Sequence, residues 1–206
     1  MKKLFKCFCE TDVKIILYTI PIISVMRCFI AIDVDKEIVS KIVELQKDIR
    51  NLDVDVKLVE PENIHFTVKF LGDVNENEVN GIKLSLEDYL SDVKSFPLTI
   101  KGIGYFGSSS YVRTLWLGLS KGEGELIELM KIVNNCVKIG DGRFSPHITI
   151  GRVKSCRNKE TIMKFVNETK DVNMGEMEVT EVKLKSSELG RNGPKYSDLA
   201  VFKLRL

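Results

Sequence analysis

Apolar residues change rhythm along this chain, and the rhythm divides it into elements. Residues 27–34 are almost continuously apolar, from Cys28 through Phe29, Ile30, Ala31 and Ile32, which predicts a buried strand. Over 36–51 the apolar residues Ile38, Ile42, Leu45 and Ile49 fall at helical spacing. Residues 55–60 alternate, and Pro61-Glu62-Asn63 reads as a turn. A strand from Ile64 to Leu71 follows, halted by Gly72-Asp73. A second helix over 76–91 turns Val79, Ile82, Leu86, Tyr89 and Leu90 inward. Strands over 96–105 and 111–119 are joined by Gly107-Ser108-Ser109-Ser110. The helix over 123–138 carries Leu126, Leu129, Met130 and Val133 and is broken at Gly140-Asp141-Gly142. A strand over 146–153, a short helix over 158–169, and closing strands over 177–186 and 198–206 complete the series, with a loop from Gly190 to Tyr196 between the last two.

The helices and strands recur in a similar order in each half, which predicts an α+β fold. We read it as one duplicated, bilobal domain over 26–206, with two antiparallel-sheet lobes around a central cleft. The first 25 residues do not share the pattern. Lys14 interrupts them, and Ile15 to Val25 is an apolar run shorter than the roughly 20 residues a membrane span needs. Glu10 and Asp12 precede that run, and no small-residue cleavage site follows it, so it makes a poor signal peptide. Met26 leads directly into the first strand and is read as the natural start, with 1–25 an upstream extension. The alternative is a genuine N-terminal segment, and N-terminal sequencing of the native protein separates the two.

Composition then narrows the class. Hydrophobic residues make up 44% and charged residues 29%, ordinary for a chain that buries a core. The four basic and two acidic residues before Met26 account for the whole net charge of +2, so the remainder is neutral. A global basic field for non-specific nucleic-acid binding is therefore excluded. Cys7, Cys9, Cys28, Cys136 and Cys156 are scattered, and Cys7 and Cys9 lack a second pair to complete a zinc site. They are read as reduced thiols in a cytoplasmic protein.

The candidate chemistry lies in two near-identical tetrapeptides, HFTV at 65–68 and HITI at 147–150. They contain the only two histidines of the chain, each followed two residues later by a threonine. In a strand, positions i and i+2 share a face, about 7 Å apart. His65 with Thr67, and His147 with Thr149, would each face outward over an apolar back. Imidazole titrates near neutrality. Two of them across a reacting centre can divide the work, one taking the nucleophile's proton and the other protonating the leaving group. A hydroxyl beside each can donate to a charged oxygen. The arrangement suits phosphoryl transfer on a tetrahedral anion. Lys69, at i+4, would share the face of His65. Arg152, at odd spacing from His147, reaches the cleft only if the strand ends or bulges near Gly151. A metal site is disfavoured, because no third histidine exists and no acidic residue or cysteine stands at ligand spacing.

With these motifs the sequence resembles the 2H phosphoesterases, and most closely the RNA 2′,3′-cyclic phosphodiesterases, also called 2′-5′ RNA ligases. The matching stretches are MRCFIAIDV from Met26, VEPENIHFTVKFLGDV from Val59, RFSPHITIGRVK from Arg143 and SELGRNGPKYSDLAVFKL from Ser187. The resemblance implies a bilobal fold with a pseudo-twofold axis and both motifs in the cleft. It implies opening of an RNA 2′,3′-cyclic phosphate to a 2′-phosphate, with some members also joining ends through a 2′-5′ linkage. By the same resemblance His147 is the general base (proton acceptor) and His65 the general acid (proton donor). Thr67 and Thr149 hold the non-bridging oxygens, and Arg152 matches an arginine that helps bind phosphate. No metal, no nucleotide cofactor, no membrane and no protein partner are implied. The partner is an RNA with a 2′,3′-cyclic phosphate terminus, tRNA fragments being one candidate.

Beyond the phosphate, Phe29, Tyr105, Phe106 and Tyr196 are candidates to stack a terminal base, and Lys57, Lys101, Arg113 and Arg143 candidates to line the cleft mouth. Two other readings use the same cleft. One is a phosphodiesterase for a small cyclic nucleotide or a 2′-5′ oligonucleotide; the other is a non-catalytic RNA-end-binding module. A chain-length series separates the first, and turnover separates the second.

Overall fold

The computed structural model describes residues 25–108, 111–140, 142, 144–155, 157–190 and 193–206. The N-terminal extension read from the sequence therefore lies almost wholly outside the described residues, as do Arg143, Cys7, Cys9 and Cys156.

Chain order is β1 (Val25–Asp33), α1 (Lys36–Asn51), β2 (Val56–Leu58), a 3-10 turn (Pro61–Asn63), β3 (His65–Asn75), α2 (Glu76–Leu90), β4 (Phe96–Ser108), β5 (Tyr111–Lys121), α3 (Glu123–Cys136), β6 (Ile148–Val153), α4 (Lys159–Glu168), β7 (Asn173–Val179), β8 (Glu181–Gly190) and β9 (Gly193–Lys203). The helices bury the stripes their spacing predicts, Ile38, Ile42, Leu45 and Ile49 in α1 and Leu126, Leu129, Met130 and Val133 in α3, but Tyr89 of α2, expected inward, lies at the edge of its stripe one residue from the helix end and is exposed.

Several strand boundaries differ from the sequence reading. Gly72-Asp73 does not stop β3, because Gly72 takes a φ of +77° and stays paired with Cys28. The strand runs on to Asn75, whose side chain caps α2 in a reciprocal pair with Glu78. The expected strand over 177–186 is two strands, parted at Thr180. The expected loop from Gly190 to Tyr196 is the tip of a hairpin, with Tyr196 paired to Ser187 inside β9.

The strands form one antiparallel sheet in the order β7-β4-β5-β6-β3-β1-β8-β9, with β2 paired to β6. That order is symmetric about the β6–β3 junction, with four strands on each side. The second lobe (β4 to β7) is contiguous in sequence, whereas the first combines β1 and β3 with the C-terminal β8 and β9. At the junction, β3 and β6 are joined by one residue pair, Phe66 with Ile148, both fully buried. The two motif strands thus meet antiparallel, which sets His65 toward the Thr149 end of its neighbour and Thr67 toward the His147 end.

Candidate active site

Both motifs occupy the expected faces. Phe66, Val68, Ile148 and Ile150 are buried, while His65, Thr67, His147 and Thr149 are half-buried on the other side. His147 itself sits just before the first residue of β6.

The two imidazoles are held alike. His65 Nδ1 lies 2.7 Å from the carbonyl oxygen of Asn63, and His147 Nδ1 lies 2.6 Å from that of Ser145. A carbonyl only accepts, so each Nδ1 carries hydrogen and donates. That leaves Nε2 of each ring as the atom that can take or give a proton. In the neutral His65 ring, Nε2 accepts from the Thr67 hydroxyl at 3.0 Å. Asn63 is itself fixed, its Nδ2 donating to the carbonyl of Pro194 at 2.9 Å, which ties the β8–β9 hairpin to the first histidine.

Aromatic rings wall each imidazole. His65 packs against Phe29 (centroids 5.1 Å) and meets Tyr196 edge-on (5.5 Å). His147 meets Phe106 edge-on (4.8 Å) and Trp116 (6.5 Å). Burial among these rings is the largest influence on both histidines and pulls both below the ordinary imidazole value. The hydrogen bonds to Asn63 and Ser145 oppose it by favouring the charged rings. Lys185 and the other imidazole depress His65 further, Asp33 opposes them, and Arg152 depresses His147.

Both motif strands bulge immediately after the threonine. In β3 the register slips between Thr67 and Lys69; in β6 it slips between Thr149 and Gly151. One inserted residue reverses the alternation. Arg152, out of phase in a regular strand, is thereby returned to the cleft face beside Thr114, and its field reaches both His147 and Tyr196. It forms no ion pair among the described residues. Lys69 moves the other way. Expected beside His65, it is 4% exposed and donates to Asn134 Oδ1 at 2.7 Å and to the Val137 carbonyl at 2.6 Å. The second bulge is braced by buried Gln46 of α1, which donates to the carbonyls of Val59 and Ile150, both at 2.9 Å.

The outer candidates divide. Phe106 is partly exposed beside His147, and Tyr196 is half-buried beside His65. Phe29 is 3% exposed and packs beneath His65, with no face left for a base. Tyr105 pairs with Leu115 on the core side, because alternation from Phe106 turns it away from the cleft. Lys57 lies directly across from Arg152. Lys101 pairs instead with Asp171 at 3.8 Å near β7, and Arg113 lies over the Tyr111 ring. Neither of these two lines the cleft mouth.

Some site residues were not legible in the sequence. Trp116 pairs with Thr149 across the strands, and its ring lies over Gly104 and Gly118. Its position between inward Leu115 and Leu117 was the available signal. The cleft face of the first lobe also carries Asp33 and Asp198, bridged by Lys183 and Lys185 at 2.7–3.2 Å. Only the pairing of β1, β8 and β9 brings these four together. Among the described residues no group of three or more histidine, cysteine or acidic side chains is placed to hold a metal ion, and no helix is long and apolar enough to cross a membrane.

The site is thus an α+β sheet symmetric about two His-x-Thr units, each imidazole held through Nδ1 by a backbone carbonyl. The family model described as LigT like Phosphoesterase matches residues 32–116 and 119–196, and the chain belongs to this family. It is 38% identical over 183 residues to an RNA 2′,3′-cyclic phosphodiesterase of Methanothermobacter thermautotrophicus, covering 87% of this chain and 99% of that protein. Its fold is similar to that of TT0787 of Thermus thermophilus (TM-score 0.73, 26% identity, 87% of this chain and 98% of the other). It is also similar to E. coli LigT complexed with 3′-AMP (TM-score 0.70, 25% identity, 87% and 98%).

Proposed function

We propose that this protein hydrolyses RNA 2′,3′-cyclic phosphate ends to 2′-phosphomonoesters. The observation that carries the reading is the matched pair of imidazoles, each with Nδ1 committed to a carbonyl two residues upstream and Nε2 left for proton transfer. The name carried by the Methanothermobacter relative, and the 3′-AMP bound by E. coli LigT, support RNA as the substrate class.

In this mechanism His147 Nε2 accepts a proton from water as its oxygen attacks phosphorus. The bond from phosphorus to O3′ breaks, and His65 Nε2 gives its proton to O3′. The 2′-phosphomonoester and a free 3′-hydroxyl remain. Thr67 and Thr149 donate to the non-bridging oxygens, and Arg152 offsets their charge. A five-membered cyclic phosphate already strains its leaving group, so positioned proton transfer suffices. With a 5′-hydroxyl of RNA attacking in place of water, the same pair could join ends through a 2′-5′ linkage.

The test is turnover, in EDTA and without ATP, of a short RNA ending in a 2′,3′-cyclic phosphate, with the phosphate position read by chromatography. Conversion to the 2′-phosphate is expected, with losses of about 10²–10⁴ in rate for His65→Ala and for His147→Ala. A folded variant turning over at the parent rate would remove that histidine from the mechanism. Activity confined to mononucleotide cyclic phosphates would move the substrate to a small cyclic nucleotide, and binding without turnover would leave an RNA-end-binding module.

A further inference from the structure

The two catalytic strands share a single backbone pair, Phe66 with Ile148. One pair is a pivot. It fixes where the strands touch but leaves the angle between them, and so the separation of the two Nε2 atoms, to other contacts. Division of acid and base work between two imidazoles is sensitive to that separation, because displacement of about 1 Å can cost 10²-fold in rate.

Lys69 joins the first motif strand to the C-terminal end of α3. Its backbone is in β3, just past the bulge that follows Thr67. Its buried ammonium donates to Asn134 Oδ1 and to the carbonyl of Val137, the residue that caps the C-terminus of α3. A cation there satisfies a carbonyl left without an intrahelical donor and meets the negative end of the helix dipole. From that helix end the chain leads into β6 and His147. The same chain segment touches β3 again close by: a methyl at Gly140, whose φ is +92°, would stand 1.9 Å from the Phe70 carbonyl oxygen.

We infer that Lys69 is a positioning residue for the two-histidine reaction, clamping the C-terminus of α3 to β3 and thereby setting the spacing of His65 and His147. This assignment rests on the reaction proposed above. Lys69 bonds Asn134 and Val137 and acts through the strand pair.

Lys69→Met keeps most of the aliphatic stem and removes the donors. At a temperature well below unfolding, kcat on the cyclic-phosphate RNA should fall tenfold or more while KM stays within about threefold. A chain with only two histidines also gives a direct spectroscopic readout, one imidazole Hε1 signal from each. In Lys69→Met the His147 signal should move or broaden, although Lys69 bonds α3 and not that ring. An unmoved His147 signal, or kcat within twofold of the parent in a folded variant, overturns the inference. If Lys69→Met does not fold, Asn134→Ala removes the bond to the Asn134 amide oxygen. It should give a smaller loss in the same direction with a displaced His147 signal, and neither effect again overturns it. Should the parent protein leave the RNA end untouched, the proposed function falls while the imidazole signals still test the clamp.

Discussion

At the residue scale, each histidine works through its surroundings. Burial among Phe29 and Tyr196, or Phe106 and Trp116, disfavours the charged ring, and the carbonyls of Asn63 and Ser145 fix which nitrogen is used. Arg152 adds positive potential at His147, which disfavours the imidazolium. Removing that charge in Arg152→Gln should therefore raise the His147 pKa in an NMR titration, and a fall would show that the guanidinium does not act on the ring as described. Both histidines and both threonines were legible because chemistry-bearing side chains at i and i+2 mark a strand face directly. The carbonyls that orient the rings were not, since every residue has one and only the backbone path decides its aim.

At the element scale, the helices were read nearly to the residue because each shows one apolar stripe at the helical period. Strand ends fared worse. Thr180 divides β7 from β8 without a glycine or proline to mark it, and the glycines and Pro194 near the β8–β9 tip suggested a loop where a hairpin continues. The bulge in β6 was signalled by Gly151, whereas the one in β3 leaves no mark in composition; they send Arg152 to the cleft and Lys69 inward. Glycine at 104 has a clear reason. A methyl there would lie 2.3 Å from the Trp116 ring, whose other edge runs toward Gly118. Gly104→Ala should displace the ring and cost about 1–3 kcal/mol through overpacking. The single tryptophan reports this directly: a changed emission spectrum and a lower Tm are expected, and an unaltered pair would show that the ring has room to move.

At the scale of the whole molecule, stability should follow pH through groups that hold different pKa values in the folded and unfolded states. Both histidines are depressed by folding, chiefly by burial. As pH falls from about 6.5, the unfolded chain takes up protons before the folded one, and stability declines. Burial pushes Asp33 and Asp198 up, but hydrogen bonds and charge from Lys183 and Lys185 outweigh it and leave both lowered. Glu181 is lowered first by its hydrogen bond from Lys203. The contribution of these three carboxylates is complete above about pH 4 and is lost as pH falls further. Denaturant unfolding across pH should thus show two acid-side declines, and His65→Ala with His147→Ala should remove the upper one. A stability curve flat from pH 7 to 5 in the parent would contradict the depressed imidazoles.

The sequence alone determined the two His-x-Thr units, the α+β class and most of the core, because periodicity and residue chemistry are local and survive without coordinates. Tertiary structure decided which elements meet. It placed the C-terminal β8 and β9 beside β1, gathered Asp33, Lys183, Lys185 and Asp198 on one face, and reversed the phase of each motif strand after its threonine. It also reduced the junction of the two motif strands to one residue pair. Strand pairing and register depend on distant segments competing for the same hydrogen bonds and the same core, and no short window of sequence contains that competition.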